Sequence, residues 1–592
     1  MQVTRTFDII DWNIEKYSRE VAIAGKAGNE WKTYSTGDYR ENTNMVSYGL
    51  RAIGLRQGDK VATITGNRPE WCFVDMGLSQ AGMVHVPVYP TIGPEEYQYI
   101  LSHAEVKVIF ISNRSIYKKV EPVLAELKSI TDIYSFDNIE GVKNFGELLE
   151  LGKNNEEKYR DEVLRTKESI TPDDLMTIIY TSGTTGQPKG VMLSHKNIVS
   201  NILALNNIHH LGFGNRAMSF LPLCHIYERT VNYHFQYKGM SIYYIENMGL
   251  ITELIKEVKP HVMNTVPRLM EKIYDGIMNK GQALSGIKKQ LFFWAVRLGL
   301  KFELKGKSAF YRAKLALANK IIFSKWREAL GGEIEIIVSG GAAIQPRLER
   351  IFWAAGLPII AGYGLTETSP VIAVNPFRTN DIMFGTVGPP LPGVEVKIAE
   401  DGEILTRGPH VMMGYYKNEE RTREMIDSEG WVHTGDIGTL VDDKWLKITD
   451  RKKEIFKTSA GKYIAPQVIE NKLKESVFVE QAMVIGENQK FASALISPNF
   501  KQLHNWCAEE NISFRDNSEL VRNADVVKRL AHEVERLNIS LGDHEKIKRF
   551  RLVEEEWSPD TGELSPTLKL RRNELMSKYE ETIEGIFNQK KN

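Results

Sequence analysis

From Lys60 to about residue 180, short β-branched runs alternate with stretches of helical periodicity. The runs are Lys60-Val-Ala-Thr-Ile-Thr-Gly66, Val106-Lys-Val-Ile-Phe-Ile-Ser112 and Met176-Thr-Ile-Ile-Tyr-Thr-Ser182. This rhythm predicts an α/β domain with largely parallel strands. Between them, residues 77–100 read as a helix end, a strand, a Pro/Gly turn and a further helix. Residues 333–344 predict a buried strand ending in a Gly-Gly turn, and residues 357–370 repeat that design. After about Arg451 strand and helix patterns mix, with Gln481-Ala-Met-Val-Ile-Gly-Glu487 and residues 490–498 as strands, which predicts a small α+β domain.

At 592 residues the chain exceeds what one core accommodates, so two or three domains are expected. Its 76 basic and 76 acidic residues argue against nucleic acid as a partner of the whole chain. Three cysteines, Cys72, Cys224 and Cys507, without C-x-x-C spacing suggest neither a disulfide framework nor a zinc site. The N-terminus lacks the apolar core of a signal peptide, and no apolar stretch reaches membrane-spanning length. The expected location is the cytoplasm, either free or peripheral on the inner face of a membrane.

One segment changes the charge picture. Residues 281–330 carry eleven Lys/Arg against Glu303 and Glu328, a net of +9, interleaved with residues such as Phe292, Trp294, Phe302 and Phe310. Two readings stay open: an amphipathic basic helical pair lying on an anionic membrane surface, or a helical insertion packed on the main domain with a solvated basic face.

Candidate chemistry concentrates in Tyr180-Thr-Ser-Gly-Thr-Thr-Gly-Gln-Pro-Lys-Gly190. Gly183, Gly186 and Gly190 allow backbone to approach an anion, Thr181, Ser182, Thr184 and Thr185 supply hydroxyls, and Lys189 supplies charge. The Walker spacing is absent, so this is not a P-loop of that class. A flexible surface turn is the alternative. In Leu221-Pro-Leu-Cys-His-Ile-Tyr-Glu-Arg229, His225 is either a hydrogen-bonded structural side chain or a catalytic one. Asp436, in Gly-Trp-Val-His-Thr-Gly-Asp-Ile-Gly438, reads as a carboxylate on a Gly-flanked turn, suited to a ribose diol or to capping that turn.

The loop string is similar, nearly letter for letter, to the phosphate loop of the adenylate-forming (AMP-binding) superfamily, and Gly362-Tyr-Gly-Leu-Thr-Glu367 matches a second motif of it. The His-Ile-Tyr-Glu-Arg string, the basic insertion and Pro566-Thr-Leu-Lys-Leu-Arg-Arg572 resemble long-chain acyl-CoA synthetases within that superfamily. The resemblance implies a large N-terminal domain of α/β sheets with a barrel-like β part (residues 1–449), a hinge at 450–453 containing Asp450 and Lys453, and a small mobile α+β lid (454–592). It implies that Tyr363 stacks on adenine beside Gly340, Gly341, Ala342, Gly362 and Gly364, that Thr366 touches the α-phosphate, and that Thr184 and Glu367 hold Mg2+. Asp436 and Arg451 would contact the ribose, and Ser459, Ala460 and Gly461 would line the CoA tunnel. Lys569 would be the catalytic lysine and His225 would border the acyl pocket, with Arg229 a weaker candidate there. The usual form has Gly before that lysine, where this chain has Leu568, so Arg571 is the alternative register. The implied reaction joins a fatty acid to CoA with ATP. Rival readings are an acyl-AMP ligase serving a carrier protein, an oxidative adenylating enzyme of the luciferase kind, and a non-catalytic lipid-binding scaffold. Oligomeric state is not legible in these motifs.

Overall fold

A computed structural model describes residues 2–181, 187–377, 381–559, 561–565 and 568–588. The chain divides into two compact units. The first runs to Lys397 and adds Leu405–His433 and Leu440–Leu446; the second comprises Ile398–Ile404, Thr434–Thr439 and the chain from Lys447 onward.

Two eight-stranded sheets organise the first unit. One places the strands in the order Gly414–Tyr415, Lys189–Ser194, Leu175–Thr181, Val84–Val88, Lys60–Ile64, Val106–Ile111, Asp132–Ser135 and Lys143–Asn144. From Leu175–Thr181 to Lys143–Asn144 the neighbours are parallel, while Lys189–Ser194 returns antiparallel and Gly414–Tyr415 pairs antiparallel beyond it. All five residues of Val84–Val88 are buried, as a central parallel strand covered on both faces requires, and the polar one among them is His85. The predicted helix–strand–turn–helix over 77–100 is present as Pro69–Gln80, Val84–Val88 and Pro94–His103.

The other sheet runs Val371–Val374, Ile359–Gly364, Ile336–Ser339, Val262–Thr265, Arg216–Ser219, Ser241–Tyr244, Ile23–Ala27 and Glu30–Tyr34, parallel except at its two edges. Helix Ile226–Tyr237 has ten buried residues among its twelve, several of them polar: Glu228, Arg229, Asn232, His234 and Gln236. A helix enclosed on all sides must find partners inside for every such group, and this requirement shapes the candidate site.

The basic segment folds as helices Gly286–Gly299 and Ala309–Ala318, a π-helical turn Asn319–Phe323 and helix Ser324–Ala329. Phe292, Ala295, Val296, Ala318, Phe323 and Trp326 enter an apolar core with Phe352 and Ile351. Ile287, Phe310 and Leu317 remain 75%, 70% and 52% exposed. Among the described residues no helix is long and apolar enough to cross a membrane.

In the second unit, strands Val479–Ile485 and Ser493–Pro498 pair antiparallel, and Arg549–Leu552 adds parallel to the latter. Helices Pro466–Leu473, Phe500–Glu509 and Ala524–Asn538 contribute Ile469, Leu473, Leu503, Cys507, Leu530 and Val534 to its core. The α+β character expected from the mixed pattern is therefore present. A four-stranded sheet, in the order Glu395–Ile398, Glu403–Arg407, Val432–Val441 and Trp445–Arg451, is the β-rich element of the middle of the chain.

Candidate active site

The Gly/Thr loop joins an antiparallel hairpin in which Thr181 pairs with Lys189 and Tyr180 with Gly190. Ser182, Gly183, Thr184, Thr185 and Gly186 lie outside the described residues. Lys189 opens the returning strand, its ammonium 5.3 Å from the centroid of the Tyr415 ring. The Tyr415 hydroxyl donates to Glu367 Oε1 at 2.8 Å, and the Met412 amide donates to the Glu367 carbonyl at 2.9 Å. Beside this group lies a cleft of about 190 Å3 lined by Tyr99, His103, Gln187, Lys189, Tyr415 and Arg421.

Glu367 follows strand Ile359–Gly364, whose last residues pair with Val371–Val374 around an irregularity at Tyr363/Gly364. A Cβ at 364 would meet the Pro370 carbonyl at 1.7 Å, so only glycine fits there. Gly362, Tyr363 and Gly364 are half-buried and Thr366 is buried. Gly340 follows the neighbouring strand Ile336–Ser339, and its amide donates to the Thr265 carbonyl at 3.1 Å. A Cβ at 340 would lie 3.0 Å from the Tyr227 ring, so packing within the protein already favours glycine at this position. Gly341 (φ +82°) and Ala342 are exposed just beyond it.

His225 caps helix Ile226–Tyr237, its Nδ1 accepting from the Tyr227 amide at 3.1 Å, which leaves the proton on Nε2. The ring is half-buried. One turn on, Glu228 is enclosed and receives Asn264 Nδ2 at 2.9 Å; burial pushes its carboxyl up to about 7. Arg229, which the motif drew into the acyl-pocket region, is fully buried and bonds Asp75, Thr177 Oγ1 at 2.8 Å and the Tyr233 hydroxyl at 3.0 Å. It therefore faces an internal carboxylate. Burial opposes the charge on Asp75, but Arg229 and His85, together with the Tyr233 hydroxyl, hold its pKa below the ordinary carboxylate value. His85 Nδ1–H donates to Asp75 at 2.7 Å while its Nε2 accepts from Thr63 at 2.8 Å.

In the second unit, Arg451 Nε lies 3.1 Å from Asp436 Oδ1. Asp436 is 4% exposed and sits inside strand Val432–Val441, which corrects the expectation of a Gly-flanked turn. The flanking glycines serve the strand instead: Gly435 takes φ +71°, and a Cβ at 438 would meet the Lys447 carbonyl at 2.6 Å. Asp450 is buried, accepts from the Arg451 and Gln467 amides at 2.6 and 3.2 Å, and is raised by burial to about 7. Lys453 is exposed. Ser459, Ala460 and Gly461 (φ +73°) form the exposed turn between Phe456–Lys457 and Tyr463–Ile464.

Lys569 is exposed, in a narrow loop closed by the Ser565 amide to the Lys569 carbonyl (2.8 Å) and the Lys569 amide to Ser565 Oγ (3.1 Å). Leu568 takes φ +61°, the left-handed region that glycine occupies without cost. Arg572 anchors the loop's exit, with Nη2 2.6 and 2.7 Å from the Glu470 oxygens and Nε 3.0 Å from Glu454. Arg571 is 52% exposed, 3.8 Å from Glu574.

Among the described residues no three His, Cys, Asp or Glu side chains gather as a metal cage. A single carboxylate such as Glu367 suits Mg2+, which retains waters and binds through one or two carboxylates plus substrate phosphates. The motifs did not single out Tyr415, Asp75, His85 or Tyr233. Gly414, at φ +136° before Tyr415, marks the local constraint without revealing what the tyrosine touches.

Residues 10–416 match the AMP-binding enzyme family and residues 453–591 the AMP-binding enzyme C-terminal domain. A long-chain-fatty-acid–CoA ligase of Mycobacterium bovis is 32% identical over 94% of this chain and 93% of its own length. The Homo sapiens long-chain-fatty-acid–CoA ligase 1 is 33% identical over 94% of this chain and 82% of its own. The solved adenylation domain of a Mycobacterium chelonae carboxylate reductase superposes with a TM-score of 0.77 at 20% identity, covering 99% of this chain and 91% of that one.

Proposed function

The chain belongs to the AMP-binding enzyme family, and from that premise we propose that it is a long-chain fatty acid–CoA ligase. A carboxylate is a poor electrophile because it has no adequate leaving group. Its oxygen first attacks the α-phosphorus of ATP, the bond to pyrophosphate breaks, and acyl-AMP forms. The CoA thiol then attacks the acyl carbon, its proton leaves, and AMP departs as acyl-CoA is made.

In this reading the loop containing Thr181, Ser182, Gly183, Thr184, Thr185, Gly186 and Lys189 holds the phosphates. Tyr363 stacks on adenine beside Gly340, Gly341, Ala342, Gly362 and Gly364, and Thr366 contacts the α-phosphate. Asp436 accepts from the ribose with Arg451 at its side. Thr184 and Glu367 would hold Mg2+, which neutralises phosphate charge when bound. Lys569 donates to the reacting oxygens, and loss of a comparable donor elsewhere costs about 10²–10³ in rate. Residues 450–453, with Asp450 and Lys453, act as the hinge that withdraws Lys569 before the thiol enters past Ser459, Ala460 and Gly461. His225 borders the acyl end. The observation that carries the reading is Tyr415, which holds Lys189 over its ring and Glu367 at its hydroxyl.

The basic segment gives the proposal its membrane component. Exposed Ile287, Phe310 and Leu317 stand among lysines on helices whose other face enters the core, so an anionic lipid surface complements the outer face.

The direct test measures AMP release from ATP and Mg2+ with palmitate or acetate, each with and without CoA. CoA-dependent release with palmitate alone supports the ligase. Adenylate without thioester moves the reading to a carrier-protein ligase, and no turnover with any acid moves it to a scaffold.

A further inference from the structure

Tyr415 joins two groups that the reaction uses separately. Its ring carries the Lys189 ammonium, and its hydroxyl is bonded to Glu367. The backbone is held as firmly as the side chain. Tyr415 pairs with Val191 across the strand from the loop, its amide donates to Thr422 Oγ1 at 2.9 Å, and the next amide donates to the Gly190 carbonyl at 2.8 Å. At 5% exposure it has little room to reorient.

We propose that Tyr415 is a positioning residue for adenylation: it orients the Glu367 carboxylate toward the metal and keeps the arm of the phosphate loop in register with it. The inference rests on the assignment of Glu367 as the Mg2+ ligand. The Tyr415 hydroxyl donates to Oε1 and so fixes the orientation of the carboxylate that would hold Mg2+. Residues that orient metal-bound carboxylates in this way typically change metal affinity or activity about 10–100-fold when altered. The ring contributes independently, since an ammonium over a tyrosine face is attracted whether or not the hydroxyl is present.

The test compares Tyr415→Phe, Tyr415→Leu, Thr422→Val and Glu367→Gln in the full chain. Mn2+ binding is read by electron paramagnetic resonance with a non-hydrolysable ATP analogue, and ATP–pyrophosphate exchange is measured at saturating metal. Tyr415→Phe is expected to weaken Mn2+ binding about tenfold while leaving the KM for ATP unchanged at saturating metal. Tyr415→Leu adds a rise in that KM through loss of the Lys189 contact. Thr422→Val, which loosens the Tyr415 backbone, shifts Mn2+ affinity the same way by less. Wild-type Mn2+ affinity in both Tyr415→Phe and Thr422→Val, with loss in Glu367→Gln, overturns the positioning role and leaves the Glu367 assignment standing. Wild-type Mn2+ affinity in Glu367→Gln removes that assignment, and the inference with it.

Discussion

The Arg229 guanidinium and the Asp75 carboxylate form an ion pair closed to water on both sides, at 0% and 1% exposure. Arg229 also bonds Thr177, on the strand that leads into the phosphate loop, and lies on the helix that His225 caps. Removing one member of a buried pair strands the other, at a cost of about 3–5 kcal/mol, whereas replacing both with apolar groups of similar volume is often neutral. Arg229→Met should therefore lower stability by about that amount, and Arg229→Met with Asp75→Leu should recover part of it, the rest being lost with the His85 and Tyr233 bonds to Asp75. Equilibrium denaturation of the two variants checks this, and equal damage in both would show the pair to be no unit.

Glu228 makes stability depend on pH. With its folded pKa raised to about 7, the folded state holds a proton that the unfolded chain has already released between the ordinary carboxylate range and neutrality. Its contribution is thus favourable at low pH and is lost as pH rises through about 7. Glu228→Gln, neutral at every pH, should melt above wild type at pH 8 and lose that advantage near pH 5. Melting curves across that interval give the sign directly.

Leu568 and Lys569 separate backbone strain from chemistry. A non-glycine residue in the left-handed region costs about 1–2 kcal/mol, so Leu568→Gly should relieve the loop, offset in part by the added freedom of the unfolded chain. Lys569→Ala should abolish adenylate formation and spare thioester formation from supplied acyl-AMP. Lys453→Pro should do the reverse. Damage to both half-reactions in both variants would exclude the alternation between them.

The basic helices are testable on lipid. Each base near an anionic surface contributes about 1 kcal/mol, so replacing Lys288, Lys289, Lys314 and Lys320 by Glu should sharply reduce sedimentation with phosphatidylserine vesicles. Phe310→Ser should reduce it further, because 70% of that residue is exposed. Unchanged binding would assign the charge to a solvated face.

What the sequence disclosed follows from how local each feature is. Alternating strand and helix patterns over 60–180 correspond to the observed parallel strands because period and punctuation are properties of neighbouring residues. Lys189 and Glu367 were legible as motif members. Their link through Tyr415 was not, because it depends on a strand that returns more than two hundred residues after the loop. Arg229 was legible only as a weaker candidate for the acyl-pocket border, and its partner could not be read because Asp75 lies on a distant helix. Asp436 looked like a turn because its flanking glycines are usual turn residues, whereas here one allows a positive φ and the other a close backbone approach.

The second unit draws on three separate stretches: Ile398–Ile404, Thr434–Thr439 and everything after Lys447. That interleaving bears on how the protein can be cut. A fragment begun at residue 453, where the C-terminal family match starts, would leave behind Asp436 and Arg451 together with the strands that carry them. A complementary fragment ended at residue 452 would keep both residues while losing the core of Ile469, Leu503 and Leu530. Neither piece is a finished module, so gene fusions and circular permutations of this enzyme are better placed at exposed loops within one unit than at the family boundary.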